Sequence, residues 1–160
     1  MTLRMMILNG PNLNLLGVRE PHIYGPTTLQ EIEASCREFA GLLGASLLFH
    51  QSNHEGVLVE FIQQARGTTD AIIINAAAYS FTSIAIIDAL KTFDGPIIEA
   101  HISNIHARDE LHRHSRISSA VSAVICGAGP YGYILAMQAA AQMLGKLPDN
   151  LPVPLRDVSR

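Results

Sequence analysis

Apolar residues along this chain fall into two kinds of stretch that alternate. Short unbroken runs at 4–8, 46–50, 71–74, 96–100 and 120–126 are rich in aliphatic side chains and bounded by polar or glycine positions, as buried strands are. Between them lie segments with helical periodicity. Leu29, Ile32, Cys36, Phe39, Ala40 and Leu43 recur at helical spacing, preceded by Thr27 and Gln30 in capping-box relation and stopped by Gly44. Further helices are predicted at 57–65, closed by Gly67, at about 82–92, and at 133–144. Strands that are apolar throughout, each followed by a helix, describe a parallel sheet covered on both faces.

Five such units predict an α/β fold of the flavodoxin-like, doubly wound type: a five-stranded parallel sheet of order 2-1-3-4-5 with helices on both faces. In that topology ligands bind beyond the carboxyl ends of the strands, at the switch point between the first and third. Every predicted strand stops there at polar residues. Asn9 and Asn12 follow the first strand, Asn75 follows the third, and Glu99 and His101 close the fourth. The first connection, about 10–26, is longer than a strand-to-helix loop needs and holds Asn12, Asn14, Arg19, Glu20, His22 and Tyr24 between glycines. Loops of that length in a compact domain serve function or are disordered. This one is predicted to be an active-site lid.

Composition narrows the function class. The 160 residues, 48% apolar with a mean hydropathy of +0.22, suit one domain spanning 1–160, with a proline-rich tail at about 146–160 that is loose or used in subunit contact. Eleven basic against fourteen acidic residues, without a basic run, argue against nucleic acid or an anionic membrane as partner. No apolar stretch approaches the roughly twenty residues of a membrane span, so a cytoplasmic location is expected. Cys36 and Cys126 are expected to be buried free thiols, in keeping with a reducing compartment.

The polar groups predicted to converge are Asn12, Arg19, Tyr24, Asn75, Glu99, His101, Ser103 and Arg108. They include no nucleophile elbow, no Walker loop and no metal constellation, which leaves proton transfer without a cofactor. Histidine suits acid–base work near neutrality, whereas a phenol, with a reference pKa of about 10, becomes a useful base only beside a cation. Arg19 stands five residues from Tyr24 on the same loop. Two patterns point elsewhere and are set aside. Gly127 to Gly132 matches G-x-G-x-x-G, but on the last strand, where no further strand can carry a ribose-binding acid; tight strand–helix packing is the simpler reading. His101, His106, His112 and His114 are too irregularly spaced for a metal site, and Asp109 with Glu110 suits the start of a short helix.

At this point the motifs closely resemble those of a known family, the type II 3-dehydroquinate dehydratases. The likeness rests on Ile7-Leu8-Asn9-Gly10-Pro11-Asn12-Leu13-Asn14-Leu15-Leu16-Gly17, Arg19-Glu20-Pro21, Tyr24-Gly25, Gln51-Ser52-Asn53-His54-Glu55-Gly56 and Glu99-Ala100-His101-Ile102-Ser103-Asn104, and spans roughly residues 4–145. The resemblance implies a flavodoxin-like fold, a homo-oligomer that is a dodecamer of trimers, and a metal-free loss of water from a small cyclic β-hydroxy ketone. By the same resemblance Tyr24 is the base that takes the proton alpha to the ketone and Arg19 keeps it ionised. Asn12 positions a water at the enolate, while His101, oriented by Glu99, protonates the departing hydroxyl. The amides of Ile102 and Ser103, with Asn75, hold the substrate carboxylate, and Asp88 reaches into a neighbouring subunit's site.

The chain departs from the family pattern in one region. Where the family usually carries Asn-Pro-Gly-Ala-Tyr-Thr-His-Thr-Ser, this chain has Asn75-Ala76-Ala77-Ala78-Tyr79-Ser80-Phe81-Thr82-Ser83, so a histidine has become Phe81. In Leu111-His112-Arg113-His114-Ser115 an arginine is replaced by His112, and Ile87 stands where many members have arginine. The missing groups belong to the wall that reads ring hydroxyls, and His112 or Arg113 is placed to compensate in part. Three readings follow: dehydration of 3-dehydroquinate to 3-dehydroshikimate, in aromatic biosynthesis or quinate breakdown; elimination or enolisation by a paralogue on a related cyclic keto acid with altered hydroxyls; and a silent ligand-binding protein. Joint retention of Arg19, Tyr24, Asn12, Glu99 and His101 argues against the third, since a binder has no need of an activated phenol.

Overall fold

A computed structural model describes residues 2–149, so the predicted tail falls outside the described residues except for its first few positions. Strands β1 (Leu3–Asn9), β2 (Ala45–Gln51), β3 (Ala71–Asn75), β4 (Ile97–His101) and β5 (Ala123–Cys126) form one all-parallel sheet in the order β2-β1-β3-β4-β5. This is the flavodoxin-like arrangement that the alternation of runs and helical periods predicts. The helices are α1 (Pro21–Tyr24), α2 (Leu29–Leu42), α3 (Glu55–Ala65), α4 (Ile84–Leu90) and α5 (Gly132–Met143).

Strand β1 shows why the fold needs cover on both sides. Leu3, Met5 and Ile7 point into one core with Ile32, Cys36 and Ala40 of α2 and Tyr133, Ala136 and Met137 of α5. Met6 and Leu8, on the other side of the pleat, enter a second core with Leu58 and Ile62 of α3 and Ile86 and Leu90 of α4. Full burial of each such side chain contributes about 1.5–3 kcal/mol, and a one-residue slip of β1 would exchange the two cores. Cys36 is buried in the first core, where desolvation pushes its thiol up to about 12; Cys126 is only partly covered, unlike the expected buried pair.

Several element boundaries differ from the sequence expectation. Helix α2 is capped by Thr28 and Glu31, one residue beyond the predicted Thr27 and Gln30. The Thr28 hydroxyl accepts from the Glu31 amide at 3.2 Å and the Glu31 carboxylate accepts from the Thr28 amide at 2.7 Å. Both pairs fit the spacing, but a carboxylate interacts better with the helix N-terminus than a neutral amide does. Helix α4 starts later than expected because Ser83 caps it, accepting from the Ile86 amide at 2.9 Å. Pro96 stays outside β4, whose pairing extends to His101, while Ala120, predicted to open β5, instead ends the 3-10 turn Ile117–Ala120, and β5 begins at Ala123. Asp109 does begin a short helical turn, Glu110–His112, by accepting from the amides of Leu111 and His112.

Candidate active site

The carboxyl ends of β2, β1 and β3 place three carboxamides side by side, with Asn9 in register with both Gln51 and Asn75. Their hydrogen bonds organise the floor of a pocket beyond the strand ends. Asn75 receives the Ala77 amide on Oδ1 at 3.2 Å and donates from Nδ2 to the Tyr133 hydroxyl at 3.0 Å. That hydroxyl donates to Asn9 Oδ1 at 2.7 Å, and Asn9 Nδ2 donates to the His50 carbonyl at 3.0 Å. Burial drives the Tyr133 phenol far above its ordinary range, so it is a permanent O–H donor at this junction.

The long first connection is folded, not irregular. It contains the 3-10 turn Leu13–Leu15 and the single helical turn α1, each too short to show a period in sequence. Its first residue must be glycine. A Cβ on Gly10 would lie 2.2 Å from the Ala76 carbonyl oxygen, because the Gly10 amide bonds the Asn75 carbonyl at 2.8 Å. Asn12 takes a left-handed conformation, φ 67, which asparagine tolerates better than most residues, and its amide donates to Asn53 Oδ1 at 3.0 Å. Gln51 holds the same Asn53 oxygen at 3.1 Å, and the Tyr79 hydroxyl donates to the Asn53 carbonyl at 2.8 Å. The turn α1 then carries Tyr24 into the pocket wall. Two guanidinium groups face its ring, Arg19 and Arg108, each with Cζ 5.6 Å from the ring centroid, within cation–π range.

Strand β4 supplies the second polar pair. Glu99 and His101 lie two residues apart and so share a face of the sheet, with His101 Nε2 2.6 Å from Glu99 Oε1. Glu99 is fully buried. Burial pushes its carboxyl up, but bonds from His101, Ser115 and Ser118 outweigh that and hold it below the ordinary carboxylate range. An ionised carboxylate only accepts, so Nε2 carries the hydrogen and Nδ1 is the nitrogen left for another partner. Phe81 packs against the imidazole, centroids 6.3 Å apart at 24°, and meets His112 edge-on at 5.4 Å. His112 is itself held by Asp109, whose carboxylate oxygens lie 2.8 and 2.9 Å from Nδ1.

Among the residues that line the pocket are Asn12, Arg19, Tyr24, Asn75, Phe81, His101, Ile102, Ser103, Arg108 and His112, positions the sequence singles out; Pro11, Leu13, Leu16, Ala77, Ala78 and Ile105 complete the wall. Glu99 stands behind His101. Besides Glu99, two predicted residues are not in the pocket wall of this chain. Asp88 is exposed on α4, and Arg113 turns its guanidinium to the Arg108 carbonyl at 3.0 Å and to Glu110 at 3.5 Å, so it braces the wall from outside. The glycine-rich turn differs from its expected role: Gly132 has ordinary room, and the close approach is at Gly127, whose Cβ would lie 3.1 Å from Asn104. Sequence reasoning missed Ser115 and Ser118, whose spacing carries no recognisable pattern, and Tyr133, whose polar atom inside an apolar helix was the available signal. It also missed the strain at Ala77. That residue sits at φ 50, where the family pattern has glycine.

The description "Dehydroquinase class II" belongs to the family model that matches residues 3–141. The chain belongs to the class II dehydroquinase family. It is 51% identical over 151 residues to a catabolic 3-dehydroquinase of Verticillium alfalfae, covering 94% of this chain and all of that one. It is 54% identical over 138 residues to a 3-dehydroquinate dehydratase of Bartonella bacilliformis, covering 86% of this chain and 87% of the relative. The crystal structure of a type II dehydroquinase from Propionibacterium acnes superposes with a TM-score of 0.85 at 43% identity, covering 89% of this chain and 98% of that one.

Proposed function

We propose that this chain dehydrates 3-dehydroquinate to 3-dehydroshikimate through an enolate, with Tyr24 as base and His101 as acid. One observation carries the reading. The Tyr24 ring faces two guanidinium groups in the same pocket that receives a histidine backed by a buried carboxylate. Arg19 and Arg108 are assigned to support the Tyr24 base, which removes the proton alpha to the ketone and leaves an enolate. Asn12 positions water against that enolate. His101, charged and donating from Nε2 to Glu99, gives its Nδ1 proton to the departing hydroxyl, so that hydroxide leaves as water and the ring carbon–carbon double bond closes. Tyr24 then holds the proton that His101 lacks, and return of that proton resets the site. Asn75 and the amides of Ile102 and Ser103 are assigned the substrate carboxylate.

The working unit is proposed to be a single domain in which residues 10–26 close over substrate. A dodecamer of trimers is the proposed assembly, with exposed Asp88 serving a neighbouring subunit's site. Among the described residues no helix is long and apolar enough to cross a membrane, which supports a cytoplasmic location. A second reading, elimination on a related cyclic keto acid with fewer hydroxyls, is favoured by the apolar Phe81 ring between His101 and His112.

Purified protein is to be given 3-dehydroquinate and followed by the enone absorbance of the product. Tyr24→Phe removes only the proton-accepting oxygen, so turnover should vanish while substrate binding and folding persist. Turnover near the wild-type level in that variant would overturn the assignment of the base.

A further inference from the structure

Glu99 is fully enclosed, and its carboxylate has three partners among the described residues. His101 Nε2 and the Ser115 hydroxyl share Oε1, and the Ser118 hydroxyl donates to Oε2. Neither serine lines the pocket. Both lie on one short segment that is fixed from several sides. The Arg116 amide donates to the Ser80 carbonyl at 2.8 Å, its Nε donates to the Phe81 carbonyl at 3.0 Å, and Ile117 is buried in the core under α3 and α4. The segment therefore presents two hydroxyls to a carboxylate that it could equally have met with apolar side chains.

A buried carboxylate without donors is costly, and its simplest response is to take a proton. Here the nearest proton belongs to His101. Transfer from Nε2 to Oε1 changes an ion pair into a neutral pair with the same number of protons, and the neutral ring, although it keeps its Nδ1 proton, is a far weaker acid than the charged one. Two serine hydroxyls can donate to the anion and stabilise the charge-separated arrangement. The charged and titratable groups that share the pocket, Arg19, Tyr24, Arg108 and His112, make no bond to Glu99, and the Phe81 ring covering His101 is apolar. The balance between the two forms thus falls to the serines.

We infer that Ser115 and Ser118 are positioning residues for proton donation: their hydroxyls hold Glu99 as an anion and thereby keep His101 charged, with its Nδ1 proton available to the pocket. The inference rests on the reading of His101 as the acid. The test is Ser115→Ala, Ser118→Ala and the double variant, with threonine at each position as the hydroxyl-retaining control. Dehydration is measured across pH, exchange of the alpha proton with deuterated water is measured beside it, and folding is followed by thermal unfolding.

Each lost hydroxyl should lower the plateau kcat by about tenfold, as expected for a hydrogen bond to a charged group. KM and alpha-proton exchange should stay within about twofold of wild type, since neither depends on the acid. The basic limb of the profile should move to lower pH. In the wild type the donors hold the Glu99 carboxyl low; without them burial favours its protonated form, the charged ring loses its anionic partner, and the acid is spent earlier as pH rises. Threonine should restore rate and profile. Unmoved profiles, or equal loss of exchange and dehydration in folded variants, overturn the inference. If the alanine variants do not fold, Ser115→Cys and Ser118→Cys keep the volume while weakening the donor, and unchanged profiles in both overturn it equally. His101→Ala is run in parallel: normal dehydration there sinks the acid reading itself, whereas its loss beside unaltered serine variants sinks only the serine assignment.

Discussion

Replacing Tyr133 by phenylalanine removes one oxygen atom from the junction beneath the site. The ring stays in the core between α5 and the sheet, so neither the apolar burial nor the packing volume changes appreciably. What changes is the pairing of two buried carboxamides. Asn75 Nδ2 loses its acceptor at 3.0 Å, and Asn9 Oδ1 loses its donor at 2.7 Å, with both residues almost wholly enclosed. A buried polar group left unpaired costs about 1–3 kcal/mol, so two of them should cost about 2–6 kcal/mol, a large part of a typical folding stability of about 5–15 kcal/mol. For a chain of this length, each 1 kcal/mol lowers Tm by about 2–4 °C, which predicts a fall of about 4–24 °C. The assay is denaturant and thermal unfolding at matched protein concentration, because assembly couples stability to concentration. Steady-state kinetics on the folded variant should show KM rising more than kcat falls, since the Asn75 amide is no longer held while the acid and base are untouched. A stability loss below about 0.5 kcal/mol, the range of ordinary surface substitutions, would refute the reasoning that this hydroxyl is the essential partner of both amides.

Two further outcomes test the walls of the pocket. Phe81→His combined with His112→Arg should raise activity on 3-dehydroquinate by some two to four powers of ten if this pocket has turned away from a fully hydroxylated ring, at about 1–3 kcal/mol for each hydroxyl otherwise left unpaired; efficient wild-type turnover with no gain removes the paralogue reading. Gly10→Ala should be destabilising by more than about 3 kcal/mol, since its new Cβ would lie 2.2 Å from a carbonyl oxygen on β3's connection and overpacking against backbone is not relieved by a rotamer change. Near-normal unfolding of that variant would show that the connection yields.

The sequence alone determined the order and kind of the elements, because unbroken aliphatic runs such as residues 71–74 can be satisfied only inside a sheet covered on both faces, and parallel strands need helical crossovers between them. It also placed the candidate site, since polar residues ending an apolar strand, as Asn9, Asn75 and Glu99 to His101 do, must emerge at one edge of such a sheet. Element ends were less legible. Thr27 with Gln30 and Thr28 with Glu31 satisfy the same spacing rule, and the structure uses the pair whose carboxylate suits the helix N-terminus. Relations between distant residues required the tertiary structure. Tyr133 lies far along the chain from Asn9 and Asn75, the two serines reach Glu99 across a polar segment without periodicity, and Arg108 meets Tyr24 from a different connection than Arg19 does. Arg113 shows the converse, since its charge and position were those of a site residue, yet its guanidinium is taken by the Arg108 carbonyl outside the pocket. Spacing in sequence reports which residues share an element and a face, because backbone periodicity fixes that locally; which side chain completes which hydrogen bond depends on packing between elements, and that is decided only when the two cores close around the sheet.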